Sequence, residues 1–372
     1  MKIALVHDHL AQDGGAERVL KVFSEMYPEA PIYTLLYDKK HTDHFLAGKK
    51  IEPSIIQKMP GGVNHYQWYM PFMPMAVEFF DLRQFDLVLS SSSAFSKGVI
   101  TSPDTLHISY CHSPTRYLWD YTHQYINELR YNKFIKKIIS LVLNYVRIWD
   151  KVAADRVDLY IANSMTVKQR IRKYYRRDST IIYPPVEIEK FTISKDIGDY
   201  YLIGCRLAPY KRVDIVIEAF VKSGKKLKIF GDGVDMKRLQ KISEGRKNIE
   251  FLGRINDTEK AELFSKCKAF LHPQDEDFGI TPVEAMAAGR PVIAYKKGGA
   301  TETVKENLTG VFFDEQSSDA IIKAVEDFES RPFDPQVIRQ TAEKYSTERF
   351  KKEIRDFLDT EYRRHKDNLT RN

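Results

Sequence analysis

Cysteine is scarce in this chain. Cys111, Cys205 and Cys267 stand far apart and form no Cys-x-x-Cys pair, so neither a disulfide framework nor a cysteine zinc site is expected, and a reducing cytoplasm is the compartment that fits. Long hydrophobic runs are missing as well. The stretch 138–146 is interrupted by Ser140, Asn144 and Tyr145, well short of the roughly 20 apolar residues that span a bilayer. The opening MKIALVHDHL has too short an apolar core for a secretory leader and reads instead as a first buried strand. Low-complexity tracts are absent, and so is a Gly-x-Gly-x-x-Gly after that strand, which removes the nicotinamide dinucleotide fingerprint.

What is present is an ordinary globular composition, with 43% hydrophobic and 29% charged residues in a chain of 372, long enough for two domains with a core each. The balance of 58 basic against 51 acidic residues gives +7, which favours anionic partners such as phosphates, nucleotides or an acidic membrane surface without choosing among them.

Short apolar runs bounded by turn residues alternate with helical patterns from end to end, the mark of parallel sheets covered by helices. In the first half, strands are expected over 2–7, 32–36, 87–90, 107–111, 159–162 and 181–183. The consecutive prolines Pro184 and Pro185 then stop regular structure. A second series follows over 200–205, 226–230, 249–252, 269–272, 291–294 and 311–313, and from Glu343 onward the sequence is helical and highly charged. The expected fold class is α/β, with a Rossmann-like doubly wound domain over 1–184, a second over 185–345, and a helical tail over 346–372 packing towards the first. Ligands of such sheets bind at the carboxyl edges of the strands.

Four stretches carry chemistry. In HPQDEDFGITPVEAMAAGRPVIA, a helix is expected to open near Thr281 and Pro282, with Thr281 as its cap. Its N-terminus offers backbone N–H groups to hydroxyls or phosphates. Gly279 would let a ligand approach the main chain. Glu276 and Glu284 can face one cleft, where paired carboxylates suit vicinal hydroxyls of a sugar or ribose; taken alone they equally describe an acidic loop and a helix-start glutamate. In GCRLAPYKRVD, Arg206 and Lys211 flank a loop after a strand, a fork and a point charge that suit a diphosphate. By themselves they are ordinary surface charges. In GGAERVL, Gly14 and Gly15 open a helix after the first strand; two adjacent glycines also make a simple turn. In YCHSPTRYLWD, His112 ends a strand, and because adjacent strand residues point to opposite faces, Cys111 and His112 are poor joint metal ligands.

These stretches, with the Glu-x7-Glu spacing, the flanking EAMAAGRPVIA and RVDLYIANS, resemble the family 4 glycosyltransferases of the GT-B fold, and HSPTRYLWD is similar to the O-antigen and exopolysaccharide mannosyltransferases among them. The resemblance covers nearly the whole chain. It implies a retaining, metal-independent hexosyltransferase in which Glu276 contacts hydroxyls of the donor sugar and Glu284 the ribose. Arg206 and Lys211 hold the diphosphate, and His112 faces the sugar. Phe278, Gly279, Ile280 and Thr281 line the donor; Gly14, Gly15, Arg116 and Asp120 complete the substrate site. Asp275-Glu276-Asp277 contains an Asp-x-Asp, which binds a divalent metal in the other large glycosyltransferase fold, but Glu276 fits the Glu-x7-Glu pattern, and neither metal nor cofactor is expected. The donor implied is GDP-mannose, with a UDP-hexose as the alternative, and the acceptor a glycan or lipid-linked saccharide. No nucleic acid is implied. A same-fold nucleotide-sugar epimerase and a catalytically silent nucleotide-sugar-binding membrane partner are the rival readings.

One further stretch concerns location. Ile135, Ile138, Ile139, Val142, Val146 and Trp149 recur at helical spacing with Lys133, Lys136 and Lys137 largely off that stripe, which describes either a helix packed on a core or one lying on an anionic membrane. The aromatic and methionine run 66–80 carries the same two readings, core or acceptor groove.

Overall fold

The computed structural model describes residues 1–11, 14–39, 42, 46–129 and 131–371, and divides into two units, Met1–Tyr183 with Phe350–Asn372, and Pro184–Arg349. In the first unit the described strands are β1 (Ile3–His7), β2 (Ile32–Thr34), β3 (Ile51–Pro53), β4 (Leu87–Ser92), β5 (Leu106–Cys111), β6 (Leu159–Ala162) and β7 (Thr180–Ile181). They form one parallel sheet in the order β3-β2-β1-β4-β5-β6-β7. Every residue of β1, β4 and β5 is buried, as expected of central parallel strands covered on both faces.

Side-chain alternation sorts these strands into two cores. Ile3, Leu5, Leu87, Leu89, Ile108 and Tyr110 face one way, against Val19, Leu20 and Phe23 of the helix Gly15–Met26 and against Phe350, Ile354 and Leu358 of the C-terminal helix Thr347–Arg371. Ala4, Val6 and Val88 face the other way, with Leu143 and Val146 of the long helix Lys133–Ala154.

The second unit holds β8 (Tyr201–Gly204), β9 (Leu227–Phe230), β10 (Ile249–Gly253), β11 (Phe270–His272), β12 (Val292–Tyr295) and β13 (Gly310–Phe313), also parallel, in the order β10-β9-β8-β11-β12-β13. Its core gathers Tyr201, Ile203, Leu227, Ile229 and Ile293 with Val216 and Phe220 of the helix Val213–Ser223.

Each strand expected from the sequence forms, displaced by at most two residues at an end. β3 was not expected. Its sequence, Ile-Glu-Pro, lacks alternation and contains a proline, which a sheet tolerates at its edge, where β3 lies. A second difference lies at the helix of the Glu-x7-Glu segment, which runs Ile280–Ala287. Gly279, not Thr281, occupies the cap position, at φ 84° and ψ 80°. That left-handed conformation favours glycine, and it lets the chain enter the helix two residues before Pro282 instead of at it.

Candidate active site

In the second unit the chain leaves β8 towards β9 on one side and leaves β11 towards β12 on the other, so the β8/β11 boundary is a topological switch point, where the loops part and open a crevice beyond the strand ends. The loop after β8 carries Arg206 and Lys211, and the turn after β11 carries Glu276. Lys211 Nζ donates to Glu276 Oε1, joining residues 65 apart in sequence. Burial opposes both charges, yet each stabilises the other: Lys211 holds Glu276 down at about 2, and Glu276 raises the lysine. Arg206 is exposed, and its Nη2 donates to the Tyr210 hydroxyl at 2.8 Å.

The turn itself is held from below. The Gly299 N–H donates to the Glu276 carbonyl at 2.8 Å, and a Cβ on Gly299 would fall 2.3 Å from Phe278 Cα. The backbones therefore meet where no other residue fits. Phe278 is buried with its ring 5.5 Å from that of Tyr345. Glu284 is buried in the helix and paired with Lys260 of the helix Asp257–Lys266 at 2.5 Å. Ile280 and Thr281 form the first turn of the helix, which no side chain caps. Beneath the turn, His272 is fully buried with neither ring nitrogen hydrogen-bonded, burial holds it neutral with a value of about 4, and Nε2 lies 3.4 Å from where a Cβ on Gly279 would sit. Buried nitrogens left without a partner in this way are costly.

The first unit has its own switch point, between β1 and β4. At its carboxyl end the face carrying Ile3 and Leu5 continues into His7, whose register partner on β4 is Ser91. Ser91 Oγ lies 3.1 Å from His7 Nδ1 and 2.8 Å from Nε2 of His112, the residue just beyond β5. On the far side, His7 Nε2 is 3.8 Å from Glu17 Oε1, both side chains being 2% exposed. Burial keeps His112 neutral, at about 4. Gly14 precedes the helix Gly15–Met26 in an extended conformation and donates its N–H to Glu17 Oε2 at 3.0 Å. Gly15 is the first helical residue and is exposed. On the opposite face, buried Asp8 accepts the backbone N–H groups of Ser93, Ala94, Phe95 and Ser96, at 2.5 to 2.8 Å, and so fixes the loop after β4.

The rest of the His-Ser-Pro stretch is tied down locally. Thr115 and Trp119 donate to buried Asp150, which also pairs with Lys97 at 2.6 Å. Arg116 stacks on Tyr121, its guanidinium 4.1 Å from the ring centre, and Asp120 pairs with Arg170 at 3.2 Å. His107, on β5, lies with its Nε2 2.9 Å from Ser90 Oγ, and burial holds its value near 3. Among the described residues no group of three or more His, Cys, Asp or Glu is placed to hold a metal ion. Sequence reading missed His7, Glu17, Ser91, Lys260, His272 and Gly299. The only signals for them were a histidine ending a buried strand, the serine run 90–93 at the end of another, and a second double glycine at 298–299.

The surface of the long helix bears a separate feature. Phe134, Ile138, Leu141, Tyr145, Ile148 and Val152 are all exposed, Phe134 at 73%, and recur every three or four residues on the face opposite Leu143, Val146 and Ala153. Ile139, Val142 and Trp149 pack partly against the core, whereas Ile135 and Ile138 do not, so the apolar stripe read from the sequence divides between core and surface. The neighbouring segment 66–79 exposes Trp68, Phe72, Met75 and Phe79. No helix among the described residues is long and apolar enough to cross a membrane.

Residues 13–190 match the family model described as Glycosyltransferase Family 4, and residues 187–348 the one described as Glycosyl transferases group 1. The mouse alpha-1,3/1,6-mannosyltransferase ALG2 is 23% identical, with 93% of each chain aligned. The O-antigen chain mannosyltransferase RfbU of Salmonella typhimurium is 30% identical over 44% of this chain and 47% of its own, and an uncharacterized glycosyltransferase of Methanocaldococcus jannaschii is 32% identical over 44% and 48%. The chain thus spans about half the length of these last two. Among solved structures, Anabaena HepE in complex with UDP and glucose superposes with a TM-score of 0.71 at 19% identity, covering 96% of this chain and 99% of that one.

Proposed function

The chain belongs to the family 4 glycosyltransferases of the GT-B fold, and from that premise we propose that it transfers mannose from GDP-mannose, with retention, to a glycan or lipid-linked saccharide in surface polysaccharide assembly. The observation that carries this reading is the meeting of Lys211 with Glu276 at the switch point of the second unit, beside the exposed guanidinium of Arg206. A diphosphate cation and a hydroxyl-binding carboxylate are thereby within one contact of each other, as a nucleotide sugar requires.

The demanding step is charge gathering on the diphosphate as the glycosidic bond breaks. Arg206 and Lys211 stabilise that charge more than the ground state, which is what accelerates the step. We assign the charge to these two cations, with no metal or other cofactor in the step. The acceptor oxygen attacks on the face the diphosphate leaves, and its proton passes to the departing phosphate. Glu276 and Glu284 bind hydroxyls of the sugar and ribose; they are not a general acid and base pair. We assign His112 to the sugar, and Gly14, Gly15, Arg116 and Asp120 to substrate binding as well.

Mannose is supported by the names of the mannosyltransferases aligned over nearly the full chain. The test is a thermal-shift panel of GDP-, UDP- and dTDP-sugars, because a ligand that binds only the native state stabilises it by about 2.7 kcal/mol at 100 times its Kd. GDP-mannose is expected to give the largest shift. Stabilisation by a UDP-hexose and none by GDP-mannose would overturn the donor assignment.

A lipid-linked acceptor also accounts for the exposed stripe of the long helix. Lys133 and Lys137 lie along one edge of Phe134, Ile138, Leu141, Tyr145, Ile148 and Val152 at helical period, while Lys151 on the same edge is paired with Asp155 at 2.9 Å. An apolar face edged with cations suits the anionic inner surface of a membrane, where we place the protein as a peripheral enzyme.

A further inference from the structure

We infer that Glu17, His7 and Ser91 are positioning residues that hold His112 in its Nε2–H tautomer, so that it offers the lone pair of Nδ1 to a hydroxyl of the bound sugar. The inference rests on the reading that His112 faces that sugar.

The geometry is a single file of polar groups across the carboxyl ends of three strands. Glu17 Oε1 stands 3.8 Å from His7 Nε2, His7 Nδ1 stands 3.1 Å from Ser91 Oγ, and Ser91 Oγ stands 2.8 Å from His112 Nε2. Glu17, His7 and Ser91 are each no more than 2% exposed, so bulk water does not set their proton positions. A hydroxyl between two imidazoles has one proton to give, and the direction of the file is decided at its charged end.

Glu17 is that end. Its Oε2 accepts the Gly14 N–H, which fixes the carboxyl plane and leaves Oε1 towards His7. A buried carboxylate at 3.8 Å is too far for a good hydrogen bond, but its field favours the tautomer of His7 that has the proton on Nε2. His7 Nδ1 is then an acceptor, and Ser91 donates to it. The Ser91 oxygen is left to accept from His112, which therefore carries its proton on Nε2. Nδ1 of His112 takes no hydrogen bond from a described residue and is not sealed in the interior. The His112 backbone is clamped as well: its N–H donates to the Ser92 carbonyl and its carbonyl accepts from Asn163 Nδ2, at 2.8 and 2.9 Å. Ring and main chain are thus both fixed.

Glu17→Gln reverses the file. The amide oxygen keeps the bond from Gly14, which turns the NH2 group towards His7 Nε2. That nitrogen must then accept, Nδ1 donates to Ser91, Ser91 donates to His112 Nε2, and the His112 proton moves to Nδ1.

The experiment is two-bond ¹H–¹⁵N correlation of the full chain carrying ¹⁵N-histidine, with the His112 signals assigned by their loss in His112→Gln. Wild type is expected to show a protonated Nε2 and a bare Nδ1, and Glu17→Gln the reverse. A protonated Nδ1 in wild type, or an unchanged pattern in folded Glu17→Gln, overturns the relay. Should Glu17→Gln fail to fold, Ser91→Ala cuts the file without touching the helix cap and is expected to leave His112 with mixed tautomers; an unchanged single tautomer there also overturns it. Because a sugar hydroxyl can turn to accept as well as donate, the cost in kcat/KM of Glu17→Gln is expected to be only about 2- to 10-fold. Donor affinity unchanged in His112→Gln would refute the contact with sugar while the tautomer pattern still judged the relay, so the two failures are separable.

Discussion

Lys211→Ala removes a cation that pairs with Glu276 and that the proposed function also sets against the diphosphate, and the two roles can be separated. At rest Lys211 neutralises Glu276, the two side chains being 14% and 20% exposed. Leaving a largely buried carboxylate without its partner costs about 3–5 kcal/mol. At roughly 2–4 °C per kcal/mol for a unit of this size, the thermal transition of the second unit should fall by about 10 °C. On the proposed reading, Lys211 faces the diphosphate in turnover. A unit charge at about 4 Å and an effective dielectric of about 20 contributes about 4 kcal/mol, so the loss in kcat should reach roughly 10²–10³-fold.

The double variant Lys211→Ala with Glu276→Gln resolves them. It removes the stranded charge, so the melting temperature should recover most of the loss, whereas turnover should not recover. The pH dependence has a definite sign. Glu276 sits at about 2 in the folded protein against an ordinary 4.5, so its contribution to stability is present above 4.5 and is lost as pH falls towards 2. In Lys211→Ala the lysine's pull is gone and burial acts against only the weaker pull of His272 and the Gln274 hydrogen bond, so that value rises and the stability gap from wild type should narrow on acidification. Calorimetry and initial rates with saturating donor provide both readouts. Near wild-type turnover in Lys211→Ala, or turnover restored in the double variant, would refute the assignment of Lys211 to the diphosphate.

Two further outcomes are expected. Gly299→Ala forces a Cβ to within 2.3 Å of Phe278 Cα, so the turn carrying Glu276 must move; a displacement of about 1 Å at a reacting group costs on the order of 10²-fold, and wild-type donor affinity and rate in this variant would show that the double glycine does not hold the site. Replacing Phe134, Leu141 and Ile148 with serine should leave the fold and the transfer to a water-soluble acceptor intact, because all three point away from the core, while sedimentation with vesicles containing anionic lipid falls at least 10-fold; equal sedimentation of both proteins would remove the membrane assignment.

The sheets were legible because parallel strands buried on both faces are written as unbroken apolar runs, as in Ile3-Ala-Leu-Val-His7. β3 was not, since an edge strand of Ile-Glu-Pro needs no such run. The helix start at Gly279 was missed because a Thr-Pro pair imitates a cap and first turn, and the left-handed glycine that does the work has no periodic signal. The long helix was read on one stripe although its sequence contains two, and only packing separates Val146 on the core from Leu141 in solvent. The relay was illegible for a different reason: Ser91 is 84 residues from His7 and 21 from His112, and strand register alone makes them neighbours.

What sequence spacing could not convey is how these groups are paired in the chain itself. Lys211 holds Glu276, Lys260 holds Glu284, Arg206 rests on Tyr210, and Ser91 holds His112. On the proposed assignments, taking up a nucleotide sugar is an exchange of partners. A diphosphate oxygen would replace Glu276 at Lys211 while a sugar hydroxyl replaces Lys211 at Glu276, which spares both groups an unpaired state in a low-dielectric site that would cost several kcal/mol. The exchange also couples the two ends of the donor. A free nucleotide diphosphate can compete for Lys211 but brings no hydroxyl to satisfy the carboxylate it displaces, so the intact sugar nucleotide is favoured over the product that must leave.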